Sequence, residues 1–274
     1  PIYVAEDSAD AWANPYVFQL DKNRRPTRIA GVPPDYFSAD GQRWGNPLYD
    51  WAYLKRTGYR WWLGRLKAMA AFFDITRVDH FIGFANYYAV PAHEDTARNG
   101  VWVPGPGKAF FDAVKRELPQ MNIVAEDLGA VSPRVRKLMD NTGYPGMKVM
   151  TFAFSGDPYN EHLPKYHEPN AVVYTGTHDN NTLLGWWQHA PHHEKNNTIF
   201  ALSITHEQEF SDAFITATFK SAANTAMVPM QDVLRLGEQA RMNLPGTVGG
   251  NWLWRMKPGA ASASVAKWLR DINR

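Results

Sequence analysis

The 274 residues carry 45% hydrophobic and 14% aromatic side chains, enough to bury a large core and too apolar for a disordered chain. The net charge is only +2, from 29 basic and 27 acidic residues interspersed without a long basic block, which argues against nucleic acid or an anionic membrane as partner and for a neutral ligand. The absence of Cys excludes disulfides and thiolate chemistry, no apolar stretch reaches the ~18 to 20 residues of a membrane span, and Pro1-Ile2-Tyr3-Val4-Ala5 is no signal peptide, so a cytoplasmic location is expected.

In chain order, short β-branched runs alternate with helical patterns, which predicts α/β organisation around parallel strands. The first strand is expected from Ile2 to Ala5. Residues 14–55 then break the rhythm, because Pro, Gly, Asp and aromatic residues predict a long structured loop or inserted subdomain, with Tyr36 and Trp44 as candidate platforms for a sugar ring. Each of these aromatics could equally pack the small core of the loop. Trp62, Leu66, Met69 and Phe73 recur at helical spacing and lead into a strand from Ile75 to Asp79. Phe110, Phe111, Val114 and Leu118 form a second helical stripe before a strand from Asn122 to Glu126. Ser132-Pro133 supplies an N-cap and a first-turn proline, and Asn141-Thr142-Gly143 ends that helix. Strands follow from Met147 to Phe152, from Ala171 to Thr175 and from Ala226 to Met230, and Val265, Trp268, Leu269 and Ile272 mark a last helix. No repeat or low-complexity linker divides residues 1–274, which are expected to form one catalytic domain.

Three of these strands end on an acid: Asp79, Glu126 and, after Thr175-Gly176-Thr177-His178, Asp179. Carboxylates at the C-terminal ends of parallel strands are where an α/β barrel places its catalytic groups. Retaining cleavage of an α-linked sugar needs one ionised carboxylate beneath the anomeric carbon and one protonated acid at the leaving oxygen. Asp79 is the candidate nucleophile. Arg77 lies two residues earlier on the same strand face, where it would keep Asp79 ionised and oriented. Glu126 is the candidate acid and base, while Asp127 is expected to point to the opposite face. Asp179 is the candidate transition-state stabiliser, helped by His178 at the sugar hydroxyls. Asn251 and Trp252 either border the sugar site or pack against the last helix.

The stretches Thr76-Arg77-Val78-Asp79-His80-Phe81, Ala125-Glu126-Asp127-Leu128-Gly129, Tyr174-Thr175-Gly176-Thr177-His178-Asp179-Asn180 and Gly31-Val32-Pro33-Pro34-Asp35-Tyr36-Phe37-Ser38 resemble those of the amylomaltases, bacterial 4-α-glucanotransferases also called disproportionating enzymes. Collinear pieces extend the resemblance to Pro1-Ile2-Tyr3-Val4-Ala5 at one end and to Arg241-Met242-Asn243-Leu244-Pro245-Gly246-Thr247 with Gly250-Asn251-Trp252 near the other. The resemblance implies a (β/α)8 TIM barrel of the α-amylase clan that transfers α-1,4-glucan chains between maltooligosaccharides through a covalent glycosyl intermediate, with no metal and no organic cofactor. By position it implies Asp79 as nucleophile, Glu126 as acid and base, and Asp179 as stabiliser. Thr177-His178-Asp179-Asn180-Asn181-Thr182 departs from the family pattern by carrying Asn181 in place of an acid, a change that bears on local pH behaviour and not on reaction class. About six strands are visible where the barrel needs eight, so about two more, within roughly 200 further residues, are expected before Pro1.

Weaker signals point elsewhere. Gly105-Pro106-Gly107-Lys108 lacks the spacing of a phosphate loop and has Pro106 where a backbone N–H is needed. His189, His192 and His193 read as a solvated loop interrupted by Pro191. Two alternatives to a transferase stay open, an α-glucan hydrolase on the same barrel and a glucan-binding fragment without activity.

Overall fold

The computed structural model describes residues 1–34, 38–129 and 131–273. The chain is α/β with mixed sheets and divides into two compact units, Pro1–Gly146 and Met147–Arg274. Tyr36 lies outside the described residues. Among those described, no helix is long and apolar enough to cross a membrane.

The first unit contains α1 (Ala9–Ala13), β1 (Arg28–Val32), β2 (Gln42–Pro47), α2 (Trp51–Arg56), α3 (Arg60–Phe72), β3 (Ile75–Val78), α4 (Ile82–Ala85), β4 (Asn86–Pro91), β5 (Val101–Pro104), α5 (Lys108–Glu117), β6 (Asn122–Ala125) and α6 (Pro133–Thr142). Strands β3 and β6 pair in parallel from Ile75 opposite Asn122 to Val78 opposite Ala125. The ladder continues past both strands, since Glu126 N donates to Val78 O at 3.0 Å and Phe81 N donates to Glu126 O at 2.8 Å. Strand register alone therefore delivers Glu126 beside residues 78–81.

A separate antiparallel sheet in the order β2-β1-β4-β5 draws β1 and β2 from the segment 14–55, expected as a long structured loop or inserted subdomain, and β4 and β5 from a stretch for which no strand was expected. Gln42-Arg43-Trp44-Gly45-Asn46-Pro47 is poor in strand-forming residues, and it is an edge strand held only through β1. Gly31 makes that pairing possible, because a Cβ there would collide with the Gln42 carbonyl. The aromatic segment 14–55 thus contributes β1 and β2 to a sheet it shares with β4 and β5.

Phe84 and Phe110 stack with ring centroids 5.1 Å apart in the core of this unit, which also buries Tyr49, Phe81 and Phe111. The stripe expected on α3 is buried at Trp62 and Leu66 but exposed at Met69 and Phe73; Phe73 has already left the helix with φ −132°. Ser132 caps α6 by accepting from Val135 N, and Gly143 ends it at φ +66°, a conformation a side chain would strain. The expected strand from Ile2 to Ala5 is absent. Ile2, Tyr3 and Val4 are buried, but the carbonyls of Ile2 and Val4 are satisfied by Tyr49 Oη at 2.6 Å and Asn46 Nδ2 at 2.9 Å, side-chain donors in place of a neighbouring strand.

The second unit is entered through β7 (Gly146–Val149) and contains β8 (Ala171–Tyr174), α7 (Leu183–His189), α8 (His192–Leu202), α9 (Phe210–Phe219), β9 (Thr225–Met227), α10 (Met230–Val233) and α11 (Ala263–Ile272). Its sheet runs β7-β8-β9, with β8 and β9 parallel. Trp187 stacks on Phe210 at 4.0 Å between centroids, and both pack with Phe154 and Phe214 in the core. Two strands are shorter than expected: after Val149 the chain tightens into a 3-10 turn over Met150–Phe152, and after Met227 it reaches Pro229, the N-cap of α10. His192 and His193 open α8, where a solvated loop was expected. Helix α11 is capped by Ser262 and rests Trp268 and Ile272 against the core without burying any residue fully.

Candidate active site

In the first unit the site grows from the turn that follows β3. Asp79 is the first residue beyond the strand and is 44% exposed in its side chain, and Arg77 Nη1 donates to its Oδ1 at 2.7 Å. An ion pair of this geometry fixes the direction of the carboxylate. His80 then takes φ +48°, a backbone conformation rarely adopted by a residue with a side chain. That turn aims the His80 N–H at Glu126 Oε2, 2.6 Å away, while Leu128 N donates to Oε1 at 2.8 Å.

Glu126 is 8% exposed. Burial raises its pKa above the ordinary carboxyl value, and the negative charge of Asp79 raises it further; the N–H groups of Leu128 and His80 and the charge of Arg77 pull the other way and lose. The result is a carboxyl that holds its proton longer than a surface glutamate would, beside one paired with the Arg77 guanidinium. His80 is kept neutral, with burial pushing its pKa down to about 4 against the opposing charge of Asp79. Its ring stands edge-on to Trp44, with centroids 4.9 Å apart, and Tyr3 lies 6.1 Å from the same ring. Trp44 is partly exposed and its indole N–H is satisfied locally by Gln42 at 3.1 Å, so no polar group of the side chain is left without a partner. Arg77, Asp79, Glu126 and Trp44 therefore gather around the turn at His80.

The second unit builds its own acidic centre on the loop between β8 and α7. Asn243 Nδ2 donates to Asp179 Oδ1 at 2.6 Å, and His178 Nε2 stands 3.4 Å from Asp179 Oδ2. Arg241 grips the same loop through its backbone, donating to Asp179 O and to Asn243 O at 2.8 Å each. Trp252, at φ +65°, lays its ring 5.2 Å from that of His178, and both border a recess together with Thr177, Asp232 and Arg241. Asn251 has a different employment. It accepts from Leu244 N at 2.9 Å and donates to Thr247 Oγ1 at 3.0 Å, bracing the turn that precedes Trp252. Asn181 donates to Glu238 Oε1 at 3.3 Å, an arrangement that two acids could not share without a proton.

Sequence reasoning named neither His80, Asn243 nor Arg241 as site residues. His80 acts through its backbone, which no side-chain pattern signals, and Asn243 lies 64 positions from the acid it holds. The available hints were the Asn243-Leu244-Pro245-Gly246 turn signal and the place of His80, Arg241 and Asn243 within stretches that carry the family resemblance. Among the described residues no group of three or more His, Cys, Asp or Glu is arranged to hold a metal ion.

A 4-alpha-glucanotransferase family model matches residues 1–262. The chain is 46% identical over 275 aligned positions to a 4-alpha-glucanotransferase of Streptococcus pneumoniae, covering 99% of this chain and 54% of the relative. It is 51% identical over 261 positions to a 4-alpha-glucanotransferase of Synechocystis sp., covering 94% and 52%. Among solved structures, amylomaltase from Streptococcus agalactiae in complex with acarbose superposes with a TM-score of 0.95 at 36% identity, over 99% of this chain and 55% of that one. Amylomaltase from Corynebacterium glutamicum, at 18% identity, shares the fold with a TM-score of 0.82 over 100% and 45%. The chain spans about half the length of the curated relatives it matches.

Proposed function

Since the chain belongs to the 4-alpha-glucanotransferase family, we propose that it carries the catalytic carboxylates of an enzyme that moves α-1,4-glucan segments between maltooligosaccharides, with retention at the anomeric carbon. The observation that carries the reading is the pairing of two unlike carboxyl settings around one turn: Asp79 part-exposed and ion-paired to Arg77, and Glu126 buried with its pKa raised. Asp79 attacks the anomeric carbon and Glu126 gives its proton to the departing glycosidic oxygen. Glu126, now ionised, then takes the proton from the incoming sugar hydroxyl as the glycosyl–Asp79 bond breaks. Asp179, oriented by Asn243, is assigned the stabilisation of the charged transition state, a role the family resemblance supports, and His178, 3.4 Å from it, is assigned to the sugar hydroxyls. Trp44 and Tyr36 are assigned to stacking on glucose rings and Asn251 to the rim. We place the parallel strands in a (β/α)8 barrel of the α-amylase clan, with residues 14–55 as an insertion.

Incubating the full chain with maltotriose and resolving the products tests the reading. Transfer yields glucose together with longer maltooligosaccharides and little net gain in reducing ends. Net hydrolysis would favour the α-glucan hydrolase, and glucan binding without turnover would favour the inactive fragment.

A further inference from the structure

We propose that Asp232 is a positioning residue that sets the geometry of the loop carrying His178 and Asp179; the proposal rests on the role assigned above to Asp179. Asp232 sits on α10 at 3% exposure. Its Oδ2 accepts from Thr175 Oγ1 at 2.6 Å and its Oδ1 accepts from Leu183 N at 2.7 Å. Thr175 immediately follows β8 and Leu183 is the first residue of α7, so one carboxylate joins the two ends of the loop 176–182.

Three features separate this from ordinary core packing. The carboxylate has been buried at a cost, since burial raises its pKa while the two donors lower it, and an apolar residue would have avoided that conflict. Both of its oxygens are engaged by the protein. The loop it closes is tied at its middle as well, where Arg241 and Asn243 hold Asp179 and Asn180 accepts from Thr177 N at 2.8 Å. With its ends fixed by Asp232, the tie at Asp179 fixes a direction for the acid instead of a range of positions. Removal of the carboxylate frees both ends, whereas an amide keeps one acceptor and can donate to the Thr175 hydroxyl, so the loss should be graded.

The test compares Asp232→Ala and Asp232→Asn with the unsubstituted full chain in two measurements, amide hydrogen exchange and transfer kinetics on maltooligosaccharides. Asp232→Ala is expected to lower kcat about 100-fold with KM changed less than about threefold, and Asp232→Asn about tenfold. Exchange should rise in peptides spanning residues 176–183 and stay unchanged elsewhere. An unaltered kcat, or a kcat that falls only in step with a loss of protection throughout the chain, would overturn the proposal. If the alanine variant does not fold, the asparagine variant decides by the same criteria. Failure of the unsubstituted chain to transfer would count against the proposed activity, and exchange in the loop would still decide what Asp232 holds.

Discussion

The two units hold their acids by different means. In the first, both oxygens of buried Glu126 accept backbone N–H groups, and the turn that supplies one of them carries Asp79 on its preceding residue. In the second, Asp179 is 45% exposed in its side chain and is held through side chains, Asn243 at its carboxylate and Arg241 at its carbonyl. A backbone clamp cannot be removed by a point substitution that keeps the fold, whereas a side-chain clamp can. The difference suits the tasks proposed for them: a proton donor needs a fixed, poorly hydrated environment, while a stabilising anion needs aim and access.

The severest attack on the first unit is Asp79→Asn. It should lower kcat by several powers of ten, on the order of 5 kcal/mol or more of transition-state stabilisation, and abolish the covalent adduct formed from a glycosyl fluoride. Glu126→Gln should be comparably slow on maltotriose yet still trap the adduct from the fluoride, whose leaving group needs no proton. Equal adduct formation in both variants, read by intact-protein mass spectrometry, would reverse or cancel the two roles. The corresponding attack on the second unit, Asn243→Ala, removes one short hydrogen bond to a charged acceptor and should cost about 1.5–3 kcal/mol in kcat/KM, without loss of adduct.

A subtler probe concerns protons. Because the Asp79 charge is the second cause raising the Glu126 pKa after burial, Asp79→Asn should lower that pKa, measured by carbon NMR on labelled glutamate. The linkage has a definite sign. A carboxyl raised above its ordinary 4.5 contributes stability that is complete below that value and is lost as pH rises through the folded-state pKa. Thermal melts across that window should show a smaller loss in Asp79→Asn than in the unsubstituted chain. An unchanged loss would mean that the two carboxylates do not sense each other.

The smallest effects compare the frameworks. Ser132→Ala and Ser262→Ala each delete one helix cap, in the first and second unit respectively, and should cost about 1 kcal/mol of stability with kcat unchanged. A fall in kcat for either would show that the caps reach the site.

The strand-end acids and the helix caps were legible because their causes are local. A buried strand ends where its apolar run ends, so Asp79 and Glu126 were placed to within a residue of β3 and β6. Ser132-Pro133 and Gly143 carry the start and stop of α6 in their own dihedral preferences. The antiparallel sheet was illegible, since β2 owes its extended form to pairing with β1 and not to Gly45, Asn46 or Pro47. Burial misled at Ile2, Tyr3 and Val4, where an apolar run packs into a core without any strand partner. His80 and Asn243 escaped for the same reason: a backbone amide and a distant amide side chain gain meaning only once the chain has closed.

That closure has a kinetic side. The clamp on Glu126 joins positions 46 apart and the tie on Asp179 joins positions 64 apart. Loop-closure entropy grows with the logarithm of length, so the two ring closures differ by only about 0.3 kcal/mol. Neither acidic centre has a head start from chain length, and neither can assemble from neighbours alone. During refolding, recovery of the tied acids should therefore lag behind helix formation in both halves.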